Sequence, residues 1–590
     1  MPSMLGARLL RWTRPDKAGR SVNLQSRWFM AQSAPLLTSS SSVLWLKVLL
    51  SVATLLLLYL RYRKRAASGD SATPYSLRAK ALVGLAVVLS FAAFHSFGKP
   101  QGGTFVHHGE MFHYYLGSKY FNELGYYELY NAVIAADAEQ DSALAALPFY
   151  TDLATYQNAP RVAALAQAER VKGRFSETRW NAFKHDVSYF KELTGLPRTP
   201  KLVFFLMDHG YNASPVSTSL LSALTNIVPV TQLPLLASLD VLLVAAMVAV
   251  VFGTFGLEMG ALFSVYFFAN VLNDPGYVSG GLLRYDWLFC CVLAVCLLEK
   301  KRHASSAFFL AVAAMTRLFP LVMFYGMLLA IFRQFKLARS VEKSSLRFIL
   351  TAGATALALL LLPALSFGSV LAPWQEFSAK TALHDRGVYV NHLGLRGMVL
   401  FEPSHLSLDK FVETFNDGQT NDIVRHWQDI KESEFHEKRP VIVFCSLLAL
   451  VGLTAILWKR GEREIEGLLW PLMLVYVVSY PSHYYYAFLC LFILLFFGRR
   501  NSLRSLVPLG LLLVFNIGAL VTDSFSPSPI VFYTLVNIYL FVCFVAIVGF
   551  ELYANAVGER PLGTVAASAN AVASSKQEQP KRAQKKPRRR

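Results

Sequence analysis

The sequence predicts an all-α, multi-pass membrane protein, on three observations. Hydrophobic residues make up 54% of the 590-residue chain and charged residues only 16%, well below the ~25% of an ordinary soluble domain. The apolar residues arrive in long unbroken runs rather than at amphipathic spacing, and many runs approach the ~20 residues a helix needs to cross a bilayer. The formal charge of +19 is gathered in clusters between those runs. Together these exclude a disordered chain, a collagen, a soluble dinucleotide-binding enzyme and a secreted disulfide scaffold. Cys290, Cys291, Cys296, Cys445, Cys490 and Cys543 all fall inside apolar runs. They have neither zinc-site nor disulfide spacing and read as small apolar residues between helices.

Taken in order, the runs predict spans near 43–60, 80–97, 238–254, 257–273, 282–299, 348–366, 439–458, 465–480, 482–498, 503–521 and 528–552. Cytoplasmic loops collect Lys and Arg. The clusters Arg61 to Lys80, Lys300 to Arg302, Arg333 to Arg347, Lys459 to Arg463 and Arg499 to Arg504 therefore face the cytoplasm. Alternation then sets 98–237, 367–438 and the short 522–527 outside. Ser305–Phe332 has basic loops at both ends, so it must enter and return. A hairpin turning at Thr316 to Pro320 is expected, because Pro disfavours continuous helix and irregular backbone is tolerated only inside protein or a polar cavity. Residues 1–79 form an N-terminal basic region with one membrane or interfacial helix, 80–553 the membrane domain, and 554–590 a disordered basic cytoplasmic tail suited to anionic lipid headgroups. No cleavable signal peptide is expected, since no apolar core closely follows Met1. No nucleic-acid partner is expected.

The chemistry-bearing residues fall at the outer ends of these spans. Glu110 follows span 80–97 and precedes an aromatic stretch, with Tyr114, Tyr115 and Phe121 expected against lipid headgroups. A carboxylate there suits general-base work on a hydroxyl; it also suits the start of a helix. His107, His108, Glu110 and His113 invite a metal site, but the order differs from H-E-x-x-H, and no metal or other cofactor is expected. Arg317 lies within an apolar hairpin, where an ionisable group marks either a phosphate site or a snorkelling structural arginine. Arg284 and Asp286 read as a pair at a helix mouth. His483 sits in a turn among Tyr480, Tyr484, Tyr485 and Tyr486, in keeping with an interfacial belt, and Asn391 and His392 lie in a loop.

Residues 105–130 resemble the first extracytoplasmic loop of GT-C membrane glycosyltransferases, particularly bacterial enzymes that use polyprenyl-phosphate mannose. In that family an acid is followed by a Tyr-Tyr pair, a small-residue helix, a Gly and a terminal Tyr; here these are Glu110, Tyr114-Tyr115, Gly125 and Tyr130. Asp208 to Pro215, Gly281 to Trp287, Ala313 to Pro320 and Tyr480 to Tyr486 are similar to later motifs of the family, in the same order. His384 to Gly394 resembles its second-loop motif. The family's acid is more often Asp, and 131–200 is an insertion that the common pattern lacks. The resemblance implies a GT-C-like fold of about 11–13 membrane helices with two large extracytoplasmic loops.

It further implies an inverting, mannosyltransferase-like activity in the cell envelope, at a bacterial inner membrane. A sugar would move from a polyprenyl-phosphate donor to a lipid, glycan or protein acceptor. Under this resemblance Glu110 is the base, Arg317 and His483 meet the donor phosphate, and Tyr114, Tyr115, Asn391, His392 and Tyr484 meet substrate. A transporter or flippase of a lipid-linked substrate is the alternative. It fits less well because no internal repeat is visible and two large outer loops are present. A metal-dependent membrane hydrolase would rest on the histidines near Glu110 alone.

Overall fold

The computed structural model describes residues 41–68, 76–98, 104–196, 201–273, 275–416, 423–460, 464–497 and 503–557. The N-terminal segment 1–40 and the basic tail from 558 lie outside the described residues. Helices α1 (Ser41–Ser68) and α2 (Leu77–Phe94) open the bundle. A cover layer follows, with α3 (His108–Lys119), α4 (Leu129–Ala138), a hairpin of β1 (Phe149–Thr151) and β2 (Asn158–Pro160), and α5 (Glu177–Thr194). The strands pair antiparallel, Tyr150 opposite Ala159. Then come α6 (Pro215–Ile227), α7 (Leu233–Phe255), α8 (Leu257–Ala269), α9 (Asp286–Glu299), α10 (His303–Thr316), α11 (Met323–Ala338) and α12 (Lys343–Phe367). The chain closes with α13 (Leu371–Arg386), α14 (Ile423–Arg460), α15 (Leu489–Phe497), α16 (Leu503–Phe525) and α17 (Pro529–Val557).

Eight of these, α1, α2, α7, α11, α12, α14, α16 and α17, are long and apolar enough to cross a membrane. The chain is thus an all-α, multi-pass membrane protein. The expected spans at 257–273, 282–299, 465–480 and 482–498 are shorter or broken. The run 465–480 splits into Glu464–Leu469, a 3-10 turn at Trp470–Met473 and Leu474–Val478, because Pro471 supplies no N–H to the preceding turn. Leu489 to Phe496 are wholly enclosed by protein, and an apolar helix buried all round has no need of bilayer-spanning length. Conversely, α14 extends well beyond the expected 439–458. Both that extension and α13 put helix into 367–438.

Polar ties hold the bundle. Asn516 on α16 accepts Val271 N–H at 2.9 Å and donates to Ala269 O at 3.1 Å and Ser51 Oγ at 3.2 Å, closing the end of α8 against α1. Arg61 pairs with Glu258 between α1 and α8. The break at Thr316 to Pro320 is present: Arg317 leaves α10 with φ −139° and ψ 123°, and a 3-10 turn at Phe319–Val322 leads into α11. The two arms diverge, α10 packing on α9 and α12, and α11 on Glu464–Leu469 and α14. A Cβ at Gly326 of α11 would stand 2.1 Å from Gly467 O, so only glycine permits that approach.

The insertion 131–200 builds most of the cover layer, and this corrects one expectation. Tyr114, Tyr115 and Phe121 do not face headgroups; they are 5%, 0% and 6% exposed, enclosed in a second core with Phe183, Phe190, Phe205 and Tyr211. Aromatic residues beyond a span look interfacial in sequence, but burying each such ring inside protein is favourable by about 1.5–3 kcal/mol. Ser176 caps the start of α5 and Gly195, at φ 72°, ends it.

Candidate functional site

Long-range bonds draw the motif segments together at one end of the bundle. His107 N–H donates to Gly280 O at 3.0 Å. Gly280 has φ 79°, and a Cβ there would meet Phe105 O at 2.1 Å, so glycine alone lets the lead-in to α3 lie against this loop. Tyr114 Oη donates to Asn212 Oδ1 at 2.6 Å. Ser214, the cap of α6, donates to Met315 O at 2.8 Å beside the α10 break. The rings of Trp287, Phe319 and Tyr485 pack with centroids 4.7–6.1 Å apart, joining the start of α9, the break and the 480–486 turn.

At their centre is a half-buried crevice. Glu110 lies in the first turn of α3, where its N–H is accepted by His107 Nδ1 at 3.2 Å. Burial holds His107 below the ordinary imidazole range, keeping that nitrogen an acceptor. The Glu110 carboxylate meets Arg284 with Oε2 3.2 Å from Nε; their side chains are 18% and 2% exposed. The Arg284 guanidinium lies 4.7 Å over the Tyr114 ring and 5.4 Å over the Tyr484 ring. Burial pushes the Tyr114 phenol up to about 12, so it stays a donor to Asn212. Arg317 donates from one Nη to Thr316 O at 3.2 Å and stands within electrostatic range of Asp286, Tyr114, Tyr485 and Arg284.

Arg284 Nη1 and Arg317 Nε are buried yet find no hydrogen-bond partner among the described residues, and buried Glu110 Oε2 has only its ion pair with Arg284 Nε. Leaving a buried polar atom unmade costs about 1–3 kcal/mol, more for charged groups. Two guanidiniums with open donors near a carboxylate have the chemistry to receive an anion next to a hydroxyl.

The expected Arg284–Asp286 pair is not formed. Arg284 takes Glu110 instead, its backbone N–H and that of Tyr285 go to Asp240 at 3.0 and 3.2 Å, and Asp286 accepts Trp287 N–H at 2.7 Å. Asp240, on α7, thus positions the loop that carries Arg284. Sequence reasoning missed Asp240, Asn212 and the role of Arg284. The one available signal was a lone carboxylate, Asp240, inside an apolar run.

The remaining expected residues divide. Tyr484 lines the crevice through Arg284, whereas Tyr115 turns away, donating to Val228 O at 3.0 Å. His483 is enclosed by the Tyr277 ring at 4.4 Å, the Tyr533 ring at 4.8 Å and Asn391 O, one residue from the crevice wall. Asn391 meets it by its backbone. His392 engages both ring nitrogens, Nδ1 with Tyr480 O at 2.6 Å and Nε2 with Ser482 Oγ at 2.8 Å, and so pins its loop to the 480–486 turn. His113 faces Phe205 O and Tyr130 Oη at 3.0 and 2.9 Å. Among the described residues no three His, Cys, Asp or Glu side chains converge as a metal site. No family model matches the chain, and neither a curated protein nor a solved structure was found similar to it.

Proposed function

We propose that the chain is a GT-C-type glycosyltransferase that moves a sugar, mannose or another hexose or pentose, from polyprenyl phosphate to a hydroxyl-bearing acceptor. The observation that carries this is the crevice in which Arg284 and Arg317 leave N–H donors open near the Glu110 carboxylate, itself ion-paired with Arg284. A polyprenyl phosphosugar carries one negative charge, and the departing polyprenyl phosphate carries two. Arg284 and Arg317 would take up that developing charge.

In the step, Glu110 accepts the acceptor O–H proton as the hydroxyl oxygen bonds to the anomeric carbon. The bond from that carbon to the phosphate oxygen breaks, its electron pair leaving with the phosphate, and a single displacement inverts the anomeric centre. Asp240 keeps Arg284 aimed, Asp286 balances Arg317, and Tyr114 and Tyr484 hold the Arg284 plane from two sides. The crevice lies at the ends of α9 and α10 remote from Lys300 to Arg302. By the positive-inside rule that end is extracytoplasmic.

The test is incubation of purified protein with labelled polyprenyl-phosphate mannose and lipid, glycan and peptide acceptors. Label in an acceptor, with inverted anomeric configuration, supports the proposal; donor that binds and crosses the bilayer unchanged supports a flippase instead. Orientation is checked by alkaline phosphatase fusions: activity near residue 410 and none near 575 is expected.

A further inference from the structure

Beside the crevice lies a lattice of rings from three chain segments. His384 and Tyr389 stack at 4.9 Å and 18°. His209 stands edge-on to both, at 5.3 and 4.8 Å, and Tyr156 meets His209 at 4.7 Å. His392 closes the lattice against Tyr389 at 4.6 Å. Burial pushes His384 down to about 3 and holds His392 well below its ordinary value, so these imidazoles are neutral and each offers acceptor as well as donor character.

Two polar atoms here, His384 Nδ1 and Tyr156 Oη, are buried and have no hydrogen-bond partner among the described residues. Tyr156 is held at φ 58° in the turn between β1 and β2, a conformation that costs a non-glycine residue of order 1–3 kcal/mol. At the rim, Asp208 accepts from His209 N–H and keeps 60% of its side chain exposed. Tyr389 and His392 also form a wall of a small adjoining recess, lined otherwise by Val388, Val390, Met398 and Ile538 among others. The loop from Asp208 to Asn212 joins this lattice to Tyr114 of the crevice.

We infer that Tyr156, His209, His384 and Tyr389 form a saccharide-binding subsite that holds the acceptor, which is therefore itself a sugar-bearing molecule. Flat rings meet the C–H face of a pyranose, while the open imidazole nitrogen, the tyrosine hydroxyl and the rim carboxylate pair with its hydroxyls; the cation against the lattice, Lys380, lies 4.3 Å over the Tyr156 ring and is engaged by Leu153 O. Naming the occupant the acceptor rests on the transferase proposed above, whereas saccharide binding does not. A pyranose arrives either free or as the head of a glycolipid.

Saturation-transfer NMR on the full chain in sugar-free nanodiscs tests this, with methyl α-mannoside, octyl α-mannoside, maltotriose and mannotriose as probes. At least one saccharide should receive saturation, with affinity lost about tenfold or more in His384→Ala and Tyr389→Ala and retained in Glu110→Gln. Tyr389→Phe, which keeps the ring, should retain most binding. If His384→Ala lowers the melting temperature, His209→Asn at the partly exposed rim replaces it. Octyl binding tighter than methyl assigns a glycolipid and equal binding a free glycan; either supports the subsite. Saturation in no saccharide, or saturation unchanged by these variants, overturns it. Saccharide binding without any sugar transfer would remove the transferase and leave the subsite standing.

Discussion

The cover layer and the crevice both gather charges under protein, yet they satisfy them differently. In the cover layer the charges of Lys119, Glu123, Arg179, Asp186 and Lys191 are answered. Asp186 accepts from Lys119 at 2.6 Å and Tyr120 at 2.9 Å, Glu123 takes Arg179 through two bonds, and Lys191 reaches Asp137, Gln140 and Asp141. In the crevice Arg284 and Arg317 each keep an unanswered N–H, and Glu110 Oε2 has only its ion pair with Arg284. Saturated networks fix structure, because each member stabilises the next. An unsaturated one costs stability, which a ligand of the complementary charge would restore. The contrast separates residues whose loss should damage folding from residues whose loss should damage turnover.

The largest expected effect is at Glu110. Glu110→Gln should lower transfer by about 10²–10⁴-fold, the range for a positioned base, with an unchanged melting temperature and donor affinity; Glu110→Asp should recover part of it. Near wild-type transfer in Glu110→Gln would break the distinction at its centre. Next, Arg317→Ala should lower transfer by about 10²–10³-fold, as for loss of one donor to developing charge. Arg317→Lys should retain a little, keeping charge without the planar fork. Full activity in well-expressed Arg317→Ala would make Arg317 structural.

In the cover layer the signs reverse. Asp186→Asn should destabilise the protein by about 3 kcal/mol, since it leaves Lys119 without its carboxylate, while the folded fraction keeps its turnover; thermal melts and active-site titration measure the two. A purely pH-dependent effect is expected at Lys380, buried with its ammonium 4.3 Å over the Tyr156 ring and donating to Leu153 O. Burial pushes it down to about 7 from an ordinary 10.5, against the pull of Asp152 and Asp208. Between those values the unfolded chain binds the proton that the folded one has released, so stability should rise with pH from about 7 to 10.5. Lys380→Met should flatten that rise in melts between pH 7 and 9.

Much of this division is legible in the sequence, but unevenly. The apolar runs mark the long helices, and Arg317 with Pro320 marks the break, because both signals are local. Glu110 stands out as an acid at the end of a span. Its partner Arg284 does not, since the two are brought together by Gly280 and Asp240 across distant segments. The burial of Tyr115 was equally illegible, depending as it does on a cover drawn from 131–200, where no apolar run announces a core. The pairing of His392 with Ser482 and Tyr480, which pins its loop to the 480–486 turn, is likewise a long-range fact. The shortened interior helices reflect a further limit: hydropathy cannot tell an apolar segment in lipid from one in protein.

The central claim, that the unsatisfied crevice is a phosphate receptor, is tested most directly by titrating polyprenyl phosphate into nanodisc-held protein and reading bound lipid by native mass spectrometry. Wild type should bind. Arg284→Gln and Arg317→Ala should each weaken binding by about tenfold or more, the loss of roughly one charge-assisted bond, and Asp186→Asn should leave it unchanged in the folded protein. Equal affinity in wild type and in both arginine variants would contradict the account.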